Sequence, residues 1–262
     1  MSRAAAPCTR WAALARDRLG AFLPVGLLVA VWWYVSGTGL YPPQLLVPPQ
    51  DVYAALLDII GTGELQEHLS VSLHRLAFGM LVGCGSGLLF GVAMGLSRTF
   101  EAFTSPMFNV IRQVPSIALI PILILVFGIG ETFKILIVTK AAFFPVGLAA
   151  FTAVQGLSKS YFDVAHIYQL PRRTLFFSIV LPATFPPILT GVRIALGRAW
   201  GTLVAAELIA AESGIGQMME LGRQMFRIDV VMVGVVITGL IGFTLDRSLK
   251  LLERRLARWQ AA

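Results

Sequence analysis

The sequence predicts an all-α polytopic membrane protein, and three observations carry that prediction. Only 13% of the 262 residues are charged, whereas 56% are hydrophobic. A water-soluble domain averages roughly 25% charged residues, so too few polar side chains remain to cover a water-facing surface. Apolar runs close to the length a bilayer requires, about 20 residues, recur along the chain. The basic residues between those runs fall mainly on one side, as the positive-inside rule expects. A mean hydropathy of +0.78 agrees.

Six transmembrane helices are expected, over Leu19–Val35, Leu73–Leu96, Phe108–Phe127, Ile135–Val154, Ile188–Ala210 and Val230–Leu249. The first follows Arg3, Arg10, Arg16 and Arg18, a pattern shared with signal peptides. We read it as an uncleaved span, because more apolar runs follow and the Trp32–Val35 aromatics suit a membrane interface. Pro42, Pro43, Pro48 and Pro49 punctuate the next loop, and residues 51–60 read as a short amphipathic helix within it. The expected organisation is an amino-terminal tail (residues 1–18), one membrane domain (19–255) with a polar loop at 156–182, and a carboxyl-terminal tail (256–262).

Charge then orients the spans. The four amino-terminal arginines, Arg98, Lys159, Arg172, Arg173 and the basic carboxyl end from Arg247 to Arg258 share one side; Arg75, Lys134, Arg223 and Arg227 share the other. Both termini and the Tyr161–Pro182 segment are thereby placed in the cytoplasm. The net charge of +7 reflects this topology and attraction to anionic lipid, and no nucleic-acid partner is needed to explain it. Cys8 and Cys84 lie in a basic tail and an apolar run, which argues against a disulfide framework. No metal-ligand spacing appears.

The second span carries Gly79, Gly83, Gly87, Gly91 and Gly95, one every fourth residue. Four residues turn a helix by about 400°, so the stripe drifts only about 40° per step and offers a face that another helix can approach closely. Either packing within the chain or a sliding surface in a transport cycle fits that face.

Catalysis on this chain is disfavoured. Gly83–Gly87 resembles the surroundings of an intramembrane serine nucleophile, which needs a histidine within hydrogen-bond reach. His74 precedes Ser86 by about 18 Å of helix, and His68 and His166 fall in loops. No glycine-rich phosphate loop with its lysine is present, so no catalytic residue is assigned. The ionisable residues inside spans are Arg112, Lys140, Arg193, Arg198 and Glu207. Such charges face a bundle interior or an aqueous cavity; they either pair between helices or contact a substrate. Arg193 and Arg198 face about 140° apart on one helix, and Glu207 lies opposite Arg198, so they cannot all line one groove. Pro115 and Pro121 interrupt the third span and mark it as a cavity wall.

The segment Tyr161–Pro182 is conspicuously polar. Residues 161–168 form about two helical turns, with Tyr161, Ala165 and Tyr168 on one face and Asp163 and His166 on another. Pro171 stops the helix, and Arg172 and Arg173 follow. A short helix held between two spans suits a lever that fits a cytoplasmic partner; a solvated loop suits the same residues.

The segment resembles the cytoplasmic signature loop of bacterial ABC importer permeases, E-A-A-x-x-x-G followed by I-x-L-P. Asp163-Val164-Ala165 matches the opening and Ile179-Val180-Leu181-Pro182 the end, while Val164 replaces the middle alanine and Gln169 stands in place of the glycine. That glycine permits a sharp turn. LVPPQDVYAAL, ALIPILILVFGIGETFKI, LTGVRIALGRAWGTLVAAELIAA and GIGQMM extend the likeness to the nitrate/sulfonate/taurine branch over nearly the whole chain. The resemblance implies a type I ABC importer-like fold in the bacterial inner membrane. It further implies a homodimer of permeases, two ATPase subunits that hold ATP and magnesium, and a periplasmic substrate-binding protein. No cofactor or metal is implied on this chain. Tyr161, Asp163, Ala165, His166, Gln169, Leu170, Arg172 and Arg173 would form the ATPase-coupling interface. The implied cargo is a small anion, most like taurine or an alkanesulfonate. Arg112, Pro115, Pro121, Arg193 and Glu207 are the candidate substrate path. The outer segment ESGIGQMMELGRQMFRID places Met218, Leu221 and Met225 at helical spacing and reads as an interfacial helix, either a contact for the binding protein or a surface-lying connector. A secondary transporter is the rival reading, but no inverted repeat of the kind many such transporters carry relates the two halves.

Overall fold

The computed structural model describes residues 23–256, except 40, 41, 43–45, 159, 161, 162 and 164–166. Its described elements are all helical. The first predicted span appears from Leu23 onward as α1, Leu23–Gly37, and Trp32 Nε1 donates to Val47 O at 3.1 Å to hold the following loop. α2, Pro49–Thr62, starts on a proline with Asp51 in its first turn, both favourable at a helix amino terminus. It ends at Gly63, whose φ of 80° is the left-handed cap that glycine adopts without strain.

α3 follows at once, Glu64–Leu96, 33 residues or about 50 Å. It starts well before the predicted Leu73, because its first turns carry Glu64, Glu67 and His68 and do not read as apolar. Arg75, placed among the charges of the outer side, therefore lies well inside a helix. The same correction applies to Lys134, which belongs to α6, Glu131–Gln155.

The glycine stripe of α3 faces α6. A Cβ at Gly83 would lie 2.6 Å from Thr139 O, one at Gly87 2.5 Å from Phe143 O, and one at Gly91 closer still to Gly147 O. Two helices thus touch backbone to backbone, the geometry that small residues permit in a membrane. α6 is the centre of the bundle: α8, Leu181–Ala210, packs on it as well. Phe133, Ile137, Val138, Ala199 and Leu203 form the shared core, all at 0% exposure.

The third predicted span, Phe108–Phe127, is broken. α4, Arg98–Gln113, stops at Val114; a 3₁₀ turn, Ser116–Leu119, leads into α5, Ile120–Phe127, bent by 89° from α4. Pro115 accounts for the break: it disfavours the helical conformation at the preceding residue, and Val114 is accordingly extended at ψ 118°. Phe90, Phe100, Phe108, Phe143 and Phe144 stack with centroids 5.0–6.2 Å apart and anchor α4 to α3 and α6. Among the described residues, four helices are long and apolar enough to cross a membrane, and the bent pair makes five; α1 is shorter.

α7, Arg172–Leu175, enters a π-helical turn at Phe176–Val180 that runs into α8. Pro182 cannot donate to the carbonyl four residues back, and its ring crowds that carbonyl; the wider turn immediately before it relieves both problems. α9, Ile215–Gln224, and α10, Ile228–Leu256, complete the fold.

Candidate functional site

Three groups of charge belong to the helices, and in two of them the cations are paired with carboxylates. The first joins α3, α6, α8 and the start of α9. Arg75, 1% exposed, donates from Nε and Nη2 to the Glu131 carboxylate at 2.6 Å, from Nη1 to Glu207 Oε1 at 2.8 Å, and to Ser213 O at 2.6 Å. Lys134 Nζ donates to Glu131 at 2.9 Å. Glu207, also 1% exposed, accepts from Ser72 Oγ at 2.8 Å and from the Gly216 amide at 3.1 Å. Ser72 in turn accepts from the Ile215 amide at 3.0 Å, and His68 Nδ1 from the Gly214 amide at 3.0 Å. Two cations meet two carboxylates, so the cluster is neutral. A carboxylate on the first amides of α9 is also favoured by the helix dipole.

Gly214, at φ 116°, makes this docking possible, because a Cβ there would collide with the Glu207 carboxylate. α9 is thus bolted to the bundle through its amino terminus. Its packed face is Ile215, Gly216, Met218, Met219 and Gly222, while Leu221 and Met225 are 40% and 62% exposed. This corrects the expected Met218–Leu221–Met225 stripe. Gly216 and Gly234 instead admit close contact with Glu207 and Met219, which rotates the helix.

The second group joins α8 to α10. Arg193 donates from Nε to Asp246 Oδ1 at 2.5 Å and from Nη2 to Oδ2 at 2.9 Å, with Glu253 at 3.9 Å. Thr190 Oγ1 donates to Glu253 at 2.7 Å.

The third group is different. Where Pro115 breaks α4, a cavity of about 370 Å³ opens against α6 and α8. Arg112, Lys140 and Arg198 line it together with Pro115, Ser116, Thr202, Phe144, Gly197 and Gly201. A smaller space of about 190 Å³ adjoins it and shares Arg112 and Arg198. Lys140 Nζ donates to Val114 O at 2.6 Å, one of the carbonyls freed by the break, and lies 5.6 Å from the Phe144 ring centre. Among the described residues Arg112 and Arg198 have neither a hydrogen bond nor an ion pair, and no carboxylate lines either space.

Of the predicted path residues, Arg112 and Pro115 therefore meet at one cavity. Pro121 starts α5 just beyond it. Arg193 and Glu207 lie elsewhere, bound to Asp246 and Arg75. Ser72 and Glu131 were missed in the sequence because they fall outside the predicted spans, and Arg75 because it was counted among the charges of the outer side. The signal that could have found Arg75 is its spacing from the stripe: Gly79 follows four residues later, on the face turned to α6.

In the coupling segment, Tyr161, Ala165 and His166 lie outside the described residues. Asp163 is helical and exposed, and Ile167 and Tyr168 are 76% and 74% exposed. Gln169 has φ 47°, the left-handed conformation that glycine adopts freely and other residues adopt at a cost of about 1–2 kcal/mol. Leu170 and the exposed Arg173 follow, and Arg172 opens α7.

Comparison with known proteins then places the chain. The family model for the binding-protein-dependent transport system inner membrane component matches residues 87–258. The putative aliphatic sulfonates transport permease protein of Bacillus subtilis is 36% identical over 92% of this chain and 87% of its own length. The taurine transport system permease protein of Escherichia coli K12 is 38% identical over 90% and 87%, and the nitrate import permease protein of Synechocystis is 27% identical over 87% and 86%. Among solved structures, an inward-facing form of the MetNI methionine ABC transporter superposes with a TM-score of 0.59 at 18% identity, over 71% of this chain and 92% of that one, a likeness of fold. The chain belongs to the binding-protein-dependent transport system inner membrane component family and is an ABC importer permease of its sulfonate, taurine and nitrate branch.

Proposed function

We propose that this permease carries a small sulfonate-type anion inward across the bacterial inner membrane, with both termini in the cytoplasm. Two copies of the chain form the pathway. A periplasmic binding protein delivers the cargo, and two cytoplasmic ATPase subunits, which hold ATP and magnesium, drive alternating access. The observation that carries this reading is the identity of 36–38%, over nine-tenths of the chain, to permeases named for aliphatic sulfonates and taurine.

The Tyr161–Arg173 segment is the docking lever for the ATPase. Its exposed Ile167 and Tyr168 supply an apolar contact that water would not otherwise favour, and the left-handed turn at Gln169 performs the reversal for which the family uses glycine. Asp163, Arg172 and Arg173 add charged contacts. On this reading residues 1–18 and 256–262 are cytoplasmic tails, and 156–182 is the coupling loop of a single permease domain spanning 19–255.

Co-purification tests the reading. Tagged wild-type permease should bring an ABC ATPase from its native host, and Asp163→Arg should lose it while remaining folded in detergent. A wild-type chain that stays folded yet never retains an ATPase would refute the proposal and reopen secondary transport.

A further inference from the structure

We propose that the cavity lined by Arg112, Lys140 and Arg198 is a transit site for a small oxyanion, and that it favours simple alkanesulfonates over amino-sulfonates. The proposal rests on the anion-importer reading and goes further by naming the site and the cargo it prefers. The Arg75–Glu131–Glu207–Lys134 cluster is neutral, and Arg193 has Asp246 and Glu253 beside it. The three cations at the Pro115 break have no carboxylate on either cavity wall. Arg112 and Arg198 are exposed to the cavity side; a charge in a membrane-spanning segment calls for a counter-charge or a water-filled path, and a groove of one sign between apolar walls concentrates the opposite ion.

The chemistry of the wall sets the ligand class. Guanidinium groups present a planar fork that matches the oxygens of a sulfonate or carboxylate, and Ser116 and Thr202 add hydroxyls. Lys140 is held at the wall by Val114 O, so its charge stays local. Ile117, Phe144 and Pro145 give an apolar surface for a short alkyl chain. Space is provided by Gly197 and Gly201 of α8: a Cβ at either would meet nothing within 4 Å. An ammonium group on the ligand, as in taurine, would find no carboxylate here and three cations nearby.

The test uses the complete importer, with its ATPase and binding protein, reconstituted in vesicles, and reads uptake of ethanesulfonate and of taurine per ATP hydrolysed. Wild type should carry ethanesulfonate more efficiently than taurine. The double variant Arg112→Gln/Arg198→Gln should lower ethanesulfonate uptake per ATP at least tenfold. Gly201→Asp supplies an independent perturbation: it adds a carboxylate where a side chain has room, and should depress ethanesulfonate uptake while narrowing the gap to taurine. If wild type carries sulfonates and both variants carry them equally well per ATP, the site is overturned while the importer reading stands. If taurine is carried as efficiently as ethanesulfonate, the preference is overturned. If wild-type vesicles import no small oxyanion at all, the anion-importer reading falls and the site falls with it.

Discussion

Replacing Glu207 with glutamine should loosen the α9 end of the bundle. The amide is isosteric, so packing is preserved and the change is electrostatic. Glu207 accepts from Arg75 Nη1 at 2.8 Å, Ser72 Oγ at 2.8 Å and the Gly216 amide at 3.1 Å. An amide has one oxygen for those donors, and its NH₂ meets others of them. Arg75 retains Glu131, so the loss belongs at the low end of the 3–5 kcal/mol expected when a buried pair loses one partner, about 3 kcal/mol. For a chain of this size that lowers the unfolding midpoint by roughly 6–12 °C. Arg75→Met removes the only cation that touches Glu207 among the described residues and should be worse. The double variant Arg75→Met/Glu207→Gln should cost much less than the two single changes summed, because it leaves neither member of that pair charged. Thermal unfolding in detergent, followed through the 5 tryptophans, supplies the cycle, and hydrogen exchange at Ile215 and Gly216 reports whether α9 has undocked. Strict additivity of the two substitutions, or an unchanged midpoint for Glu207→Gln, would refute the coupling inferred from the geometry.

Three other outcomes follow from the same reasoning. Gly91→Leu should cost about 3 kcal/mol or more through overpacking against Gly147 O. Gly85→Ala, on the open side of the same helix, should be neutral or stabilising by up to about 1 kcal/mol; paired unfolding midpoints separate them. Gln169→Gly should relax the left-handed turn by about 1 kcal/mol and leave ATPase retention intact, whereas Gln169→Val should weaken retention in the co-purification assay. Finally, hydrogen bonds from Arg223 and Gln224 hold the Glu220 carboxyl at about 2, below its ordinary 4.5. The folded value is depressed, so this contribution to α9 is present above 4.5 and is lost as the pH falls toward about 2. Any midpoint difference between wild type and Glu220→Gln should therefore be constant from pH 5 to 8 and close in acid.

Burial explains why the polar residues divide as they do. A charge within a membrane bundle is tolerated when its partners are supplied by other helices. Arg75 and Glu207 lie far apart in sequence and meet only because the α3 stripe draws α6 close and α6 in turn carries α8. One tight backbone contact thus sets the position of the ion network, and the network sets the position of α9. The coupling segment stands at the opposite extreme, with Ile167 and Tyr168 left exposed.

The class of this protein, its principal apolar helices, the glycine face and the family are legible in the amino-acid order alone. Those properties rest on local composition, on a periodicity that one helix expresses alone, and on motifs read in order along the chain. The break at Val114–Pro115 was also signalled locally, because proline acts on its immediate neighbour. Its size, an 89° bend that opens a cavity, was decided by how α5 packs beside α6. Tertiary structure alone decided which in-span charges are spent and which are free. Arg112, Arg193 and Arg198 are the same residue type at similar depth in the sequence pattern. Only the neighbouring helices give Arg193 its Asp246 and give Arg198 an open wall shared with Arg112 and Lys140, because ion pairing is a property of distances between segments and no periodicity within one segment encodes it.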